Sequence, residues 1–152
     1  MSRKPVVVAF DVGGVLSKYP AAVALLHALD AAPGVEVHVV SDMHPVSKTL
    51  DMLDRNGICL AAEQVHSADY ARDGEGCKAR LCERLGVDVL VDDFPGYVAT
   101  PGKPALRLLV MPDPAEPYYH DDWKTDGSEG DFGRRRKADL SGPVGGQLEV
   151  FE

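Results

Sequence analysis

The chain has 152 residues, a hydrophobic fraction of 45%, a charged fraction of 26% and a formal net charge of −8. That length suits one hydrophobic core, and the composition excludes a chain that is disordered throughout. The negative balance opposes a surface that grips nucleic acid through generic phosphate contacts, although a local basic site stays compatible with it.

Residues 6–10, VVVAF, form an apolar, largely β-branched run that predicts a strand buried on both faces, and the run ends on Asp11 before a Gly13-Gly14 turn. Residues 21–30 predict a helix, because Val23, Leu26, Ala28 and Leu29 recur near helical spacing and Pro33-Gly34 stops the segment. VEVHVV, 35–40, predicts the second buried strand. A second crossover helix follows, with Pro45 near its start, Val46, Leu50 and Leu53 at helical intervals, and Gly57 as its stop. The next segment has a weak pattern in which a short third strand is expected at 65–68. CKARLCERLG, 77–86, predicts a short amphipathic helix closed by Gly86. VDVLVDD, 87–93, is an apolar strand ending on two carboxylates, and LRLLVM, 106–111, is the last strand.

Strands alternating with helices at this spacing predict an α/β fold: a Rossmann-like, mostly parallel sheet with helices on both faces. Ligands of such sheets sit beyond the carboxyl ends of the strands, near the switch point in strand order. Residues 1–111 make this core. The remainder, 112–152, is rich in Pro, Gly and Asp, and is expected to be a tail packed on the same domain through Tyr118, Tyr119, Trp123 and Phe132, with a less ordered end. Its FGRRRK string offers Arg134, Arg135 and Arg136 either as a solvated charge run or as ligands for an anionic substrate.

The cysteines, Cys59, Cys77 and Cys82, are odd in number and form no C-x-x-C pair, which favours reduced thiols over a disulfide framework or a zinc site. The apolar run at 5–10 is too short for a signal-peptide core or a membrane helix. A cytoplasmic protein with no membrane partner is expected.

Polar residues end the apolar strands at one edge of the predicted sheet: Asp11 after the first, Ser41 after the second, Asp92 and Asp93 after the fourth. Lys78 opens the helix before that fourth strand. Carboxylates crowded together repel unless a cation lies among them, and hard oxygen ligands point to Mg2+. A metal and a lysine would together neutralise a phosphate dianion, Ser41 would donate a hydrogen bond to it, and one carboxylate would be left to attack phosphorus. The two glycines would let the backbone approach both phosphate and metal.

In these residues the sequence resembles the haloacid dehalogenase superfamily of phosphotransferases. Its motifs occur in order as FDVGGVL at 10–16, VVSD at 39–42, Lys78 in GCKARL, and VLVDD at 89–93. The resemblance covers roughly residues 5–111. It implies Asp11 as the nucleophile that becomes an aspartyl phosphate, Ser41 as the phosphate-binding hydroxyl, and Lys78 as the stabiliser of nucleophile and phosphate. It further implies Asp92 as a direct metal ligand, Asp93 as its support, and the main-chain carbonyl of Gly13 as a ligand beside Asp11. The general acid that most of these phosphatases carry two residues after the nucleophile is replaced by Gly13. Such a group contributes about 10²–10⁴ in rate, so turnover is expected to be slow or restricted to good leaving groups. His44 and His66 are candidate substitutes.

The intervals between motifs hold little beyond the crossover elements, so no cap domain is expected, and an open site suits a large substrate or a small one enclosed by the tail or by a second copy of the chain. The expected activity is Mg2+-dependent hydrolysis of a phosphate monoester on a small phosphorylated substrate. The alternative is an impaired relative that binds a phosphate ligand or a protein. A response-regulator receiver is opposed by the order of the motifs, and DGEGCK lacks the glycine spacing of a nucleotide P-loop.

Overall fold

The computed structural model describes residues 3–111. In chain order its elements are β1 (Val6–Phe10), α1 (Pro20–Asp30), β2 (Val35–Ser41), α2 (Val46–Arg55), β3 (Val65–Ser67), α3 (Tyr70–Asp73), α4 (Cys77–Leu85), β4 (Val89–Asp92), α5 (Pro95–Ala99) and β5 (Leu106–Leu109). The five strands form one all-parallel sheet in the order β3-β2-β1-β4-β5. The chain therefore moves outward from β1 to β3, then returns to lay β4 on the opposite side of β1. That reversal lies at β1, and in such sheets the crevice that takes ligands is found at the carboxyl ends beside it.

Successive side chains of a strand point to opposite faces, and in β1 both faces are covered. Val7 and Ala9 join Val40 and Leu90 in a cluster with Cys77, Leu81 and Cys82 of α4 and with Phe94 and Tyr97. Val8 and Phe10 join Val37, Val39 and Val91 in a second cluster with Leu26 of α1 and Leu53 of α2. Helices thus lie on both faces, and each fully buried aliphatic or aromatic side chain contributes about 1.5–3 kcal/mol to the assembly.

The elements end where their sequences say they should. Gly86, at φ +67°, closes α4, and the Val87 N–H donates to the Cys82 carbonyl at 2.9 Å. Gly57, at φ +67°, follows α2, where the Ile58 N–H reaches back to the Leu53 carbonyl at 3.0 Å. Several boundaries differ from expectation, most of all in β4 and β5. The fourth strand starts at Val89 rather than 87, because Val87 still belongs to the exit of α4 and Asp88 clamps β1: the Val7 N–H donates to Asp88 Oδ2 at 2.9 Å and the Asp88 N–H to the Val7 carbonyl at 2.8 Å. It stops at Asp92, whose Oδ1 accepts the Phe94 N–H at 2.9 Å and turns the chain. At the sheet edge β5 is shorter than the expected 106–111, and Leu106 and Leu108 are exposed, so among the described residues none covers that face of the sheet there.

Two short helices, α3 and α5, were not predicted. Asp69 caps α3 by accepting the Arg72 N–H at 3.1 Å, and Pro95 starts α5. Between Asp11 and Ser41 the chain holds only the following turn, α1 and β2, and between Ser41 and Lys78 only α2, β3, α3 and short turns. No helix among the described residues is long and apolar enough to cross a membrane. The expected tail, with Tyr118, Tyr119, Trp123, Phe132 and Arg134–Arg136, lies outside the described residues.

Candidate functional site

The register of the central strands decides what meets at the crevice. Phe10 pairs with Val91, and the Asp11 N–H extends the ladder by donating to the Val91 carbonyl at 2.9 Å. Asp11 is thereby fixed beside Asp92. On the other side Phe10 pairs with Val39, so Ser41, two residues further on, ends β2 at the same edge.

After Asp11 the chain reverses in a type II turn across Val12–Val15. Gly13 takes the first central position (φ −62°, ψ 127°) and Gly14 the second (φ 71°, ψ −2°), a conformation that favours glycine. The Ser17 N–H closes the segment on the Val12 carbonyl at 2.9 Å, and Ser17 Oγ accepts the Gly14 N–H at 3.2 Å. Lack of a side chain at Gly14 has a second use: Asp93 occupies that space, and a Cβ there would lie 2.1 Å from Asp93 Oδ2.

Asp11, Asp92 and Asp93 are all buried, and one oxygen from each lies within 4.8 Å of the others, so the cluster could hold a metal ion. Lys78, at the start of α4, is buried as well (1% exposed) and bridges two of the three carboxylates. Its Nζ donates to Asp11 Oδ1 at 2.8 Å and to Asp92 Oδ2 at 2.5 Å. Burial opposes the lysine charge, but Asp11, Asp92 and Asp42 together outweigh it and hold the Lys78 pKa above the ordinary lysine value. The ammonium is therefore permanent at neutral pH, and it leaves the set of carboxylates only partly compensated.

The sequence-derived residues converge unevenly. Asp11, Lys78, Asp92 and Asp93 come together as described, and Gly13 sits in the turn that follows Asp11. Ser41 is buried at the neighbouring strand end, where its Oγ accepts the Met43 N–H at 3.1 Å and its carbonyl accepts the Ala68 N–H at 2.7 Å. The two histidines considered as acids have different surroundings. His66 lies on β3, beyond β2 from the strand that ends on Asp11, with Nε2 2.8 Å from His38 Nδ1. Burial, then His38, lowers the His66 pKa. His44 is exposed, its Nδ1 3.5 Å from Ser67 Oγ.

Two residues at the site had been given no role from sequence. Tyr97 of α5 is buried, donates its hydroxyl to Asp42 Oδ2 at 2.6 Å, and presents its ring 4.6 Å from Lys78 Nζ. Asp42 directly follows Ser41, and its place in VVSD was its only signal. None of the three thiols belongs to the carboxylate cluster: Cys59 is exposed, Cys77 and Cys82 are buried, and burial pushes the Cys82 thiol up to about 12.

Comparison with protein-family models found no match, and the same holds for comparison with curated proteins and with solved structures.

Proposed function

We propose that the protein is a phosphohydrolase of the haloacid dehalogenase type, dependent on Mg2+, which cleaves a phosphate monoester through an aspartyl phosphate on Asp11. The observation that carries this reading is the buried bridge of Lys78 between Asp11 and Asp92, with Asp93 completing the carboxylate cluster.

The donor set fits a hard divalent ion. Its ligands are carboxylate oxygens, no thiol or imidazole belongs to the cluster, and three carboxylates against one ammonium leave excess negative charge. Asp11, Asp92 and Asp93 would hold the ion together with the Gly13 carbonyl. When bound, Mg2+ supplies charge neutralisation at the phosphoryl oxygens.

Asp11 is the better nucleophile of the cluster. Asp92 spends one oxygen on Lys78 and the other on the Phe94 N–H, whereas Asp11 heads the Gly-Gly turn, whose main-chain amides would approach a phosphoryl group. An Asp11 carboxylate oxygen attacks phosphorus in line, the ester P–O bond breaks, and the leaving oxygen departs with the electron pair. Lys78 balances negative charge on nucleophile and phosphate, and the Ser41 hydroxyl donates to a phosphoryl oxygen. Water then attacks the aspartyl phosphate, releasing inorganic phosphate and regenerating Asp11. With Gly13 where a general acid would stand, the leaving group takes its proton from solvent, so substrates with acidic leaving groups react fastest.

The test is a screen of aryl, acyl, sugar and nucleotide phosphates with and without Mg2+, using Asp11→Asn as the blank. Hydrolysis that requires both Mg2+ and Asp11 supports the assignment. Activity that survives Asp11→Asn sinks it.

A second reading is favoured by one observation: Gly13 carries no acid and His66 is paired with His38. Under it the same site binds phosphate ligands, or accepts a phosphoryl group, without turnover. Single-turnover measurements separate the two, because a stoichiometric burst with no steady phase belongs only to the second.

A further inference from the structure

We infer that Tyr97 is a positioning residue that holds Lys78 in place, with Asp42 as its anchor. The inference rests on the phosphoryl-transfer reading for its consequence in turnover, but not for its geometry. Lys78 has three N–H groups, and two of them are directed at Asp11 and Asp92. The Tyr97 ring covers another side of the ammonium at 4.6 Å from its centroid, within the range at which an aromatic face attracts a cation.

The ring is itself held from two directions. Tyr97 belongs to α5, which leaves β4, yet its hydroxyl bonds Asp42 just past the end of β2. Because β1 lies between β2 and β4, Tyr97 spans the strand that carries Asp11. Edge contacts with Phe94 (5.0 Å, 77°) and Tyr70 (6.5 Å, 70°) fix the ring plane. A lysine stem has four rotatable bonds, and bridging two carboxylates does not by itself stop the head group from swinging between them. The ring removes that freedom, and the Asp42 bond keeps the ring from turning away.

The test uses the full chain with ¹⁵N-labelled lysine. The slowly exchanging Lys78 ammonium signal is assigned by its loss in Lys78→Arg. Tyr97→Leu removes ring and hydroxyl, Tyr97→Phe keeps the ring, and Asp42→Ala removes the anchor. Ammonium exchange should quicken by at least about tenfold in Tyr97→Leu and by a smaller factor in Tyr97→Phe and Asp42→Ala, following the strength of a desolvated cation–ring contact. On the best substrate, kcat should fall in the same order while KM stays within about twofold, with Tyr97→Phe retaining most of what Tyr97→Leu loses. If Tyr97→Leu does not fold, the other two variants decide: unchanged exchange in both overturns the inference. Should the wild type prove inert on every phosphate ester, the functional assignment fails while the exchange measurement still judges Tyr97. Unaltered exchange in a folded Tyr97→Leu protein refutes the role outright.

Discussion

Gly14 and Asp93 share a space that admits only one of a methyl group and a carboxylate: a Cβ on Gly14 would lie 2.1 Å from Asp93 Oδ2 and 2.6 Å from its Cγ. Gly34 is the natural control, since it has a similar φ of +75° and nothing within 4 Å of its would-be Cβ. Left-handed backbone costs a non-glycine residue about 1–2 kcal/mol, so Gly34→Ala should lose that much stability in denaturant melts and Gly14→Ala more, because its methyl must also push aside the buried Asp93. Only Gly14→Ala should also displace Asp93. On the proposed reading, Mg2+ at 100-fold over its Kd should raise stability by about 2.7 kcal/mol, and that increment should shrink in Gly14→Ala but persist in Gly34→Ala. Equal increments in both would detach the turn from the cation site.

Lys78 sets up a second expectation. Lys78→Met leaves Asp11 and Asp92 facing each other in a buried site without their shared cation, a loss of about 3–5 kcal/mol. Adding Asp11→Asn should restore part of it, and a double-mutant cycle by urea unfolding reads the coupling. The pH dependence has a definite sign. The folded pKa lies above the ordinary lysine value, so the Lys78 contribution is whole below about pH 10.4 and is lost as pH rises toward the folded value. On the alkaline side the stability gap between wild type and Lys78→Met should therefore hold until strongly alkaline solution, whereas on the acid side it should narrow as the unbridged Asp11 and Asp92 take up a proton in the variant. A gap that narrows as pH rises from neutrality to about pH 9, short of the ordinary lysine value, contradicts the buried bridge.

How much of this was legible in the sequence depends on how far apart the partners lie. The first strand and its terminal Asp11 could be read locally, because β-branched residues fit a pleated, doubly covered strand. The Gly-Gly turn was legible too, since a type II turn needs φ > 0 at its second central residue. Lys78 is 67 residues from Asp11, and no periodicity connects them; only the order of several motifs did so. Tyr97 was missed because α5 has five residues, too few to display a helical period, and because its partner Asp42 is 55 residues away. The Asp88 clamp on Val7, across 81 residues, was hidden for the same reason, and with it the true start of β4.

His66 gives a prediction on the acid side. Its pKa is lowered by burial and then by His38, so the folded protein resists protonation there while the unfolded chain does not. Stability attached to this group is complete above about pH 6.5 and declines as pH falls below that value. His66→Gln should flatten this part of the stability curve, and the His66 C2–H resonance should titrate below the ordinary histidine value. A midpoint at or above about 6.5 would remove the basis for the effect.

Gly13 offers the sharpest test of the catalytic reading, because its backbone is already suitable for another residue. At φ −62° and ψ 127° it occupies a region open to any L-amino acid, unlike Gly14 next to it. Gly13→Asp would place a carboxyl group two residues after Asp11, where, on the proposed mechanism, it would protonate the leaving oxygen and later take a proton from the attacking water. If phosphoryl transfer occurs on Asp11, the gain should grow as the leaving group becomes less acidic: near zero for nitrophenyl phosphate and about 10²-fold or more for an alkyl phosphate, the lower end of what a placed acid supplies. A plot of log kcat/KM against leaving-group pKa should accordingly lose slope in the variant. Parallel lines for wild type and Gly13→Asp would mean that leaving-group protonation does not limit the reaction, and that the glycine at this position is not what restricts its substrates.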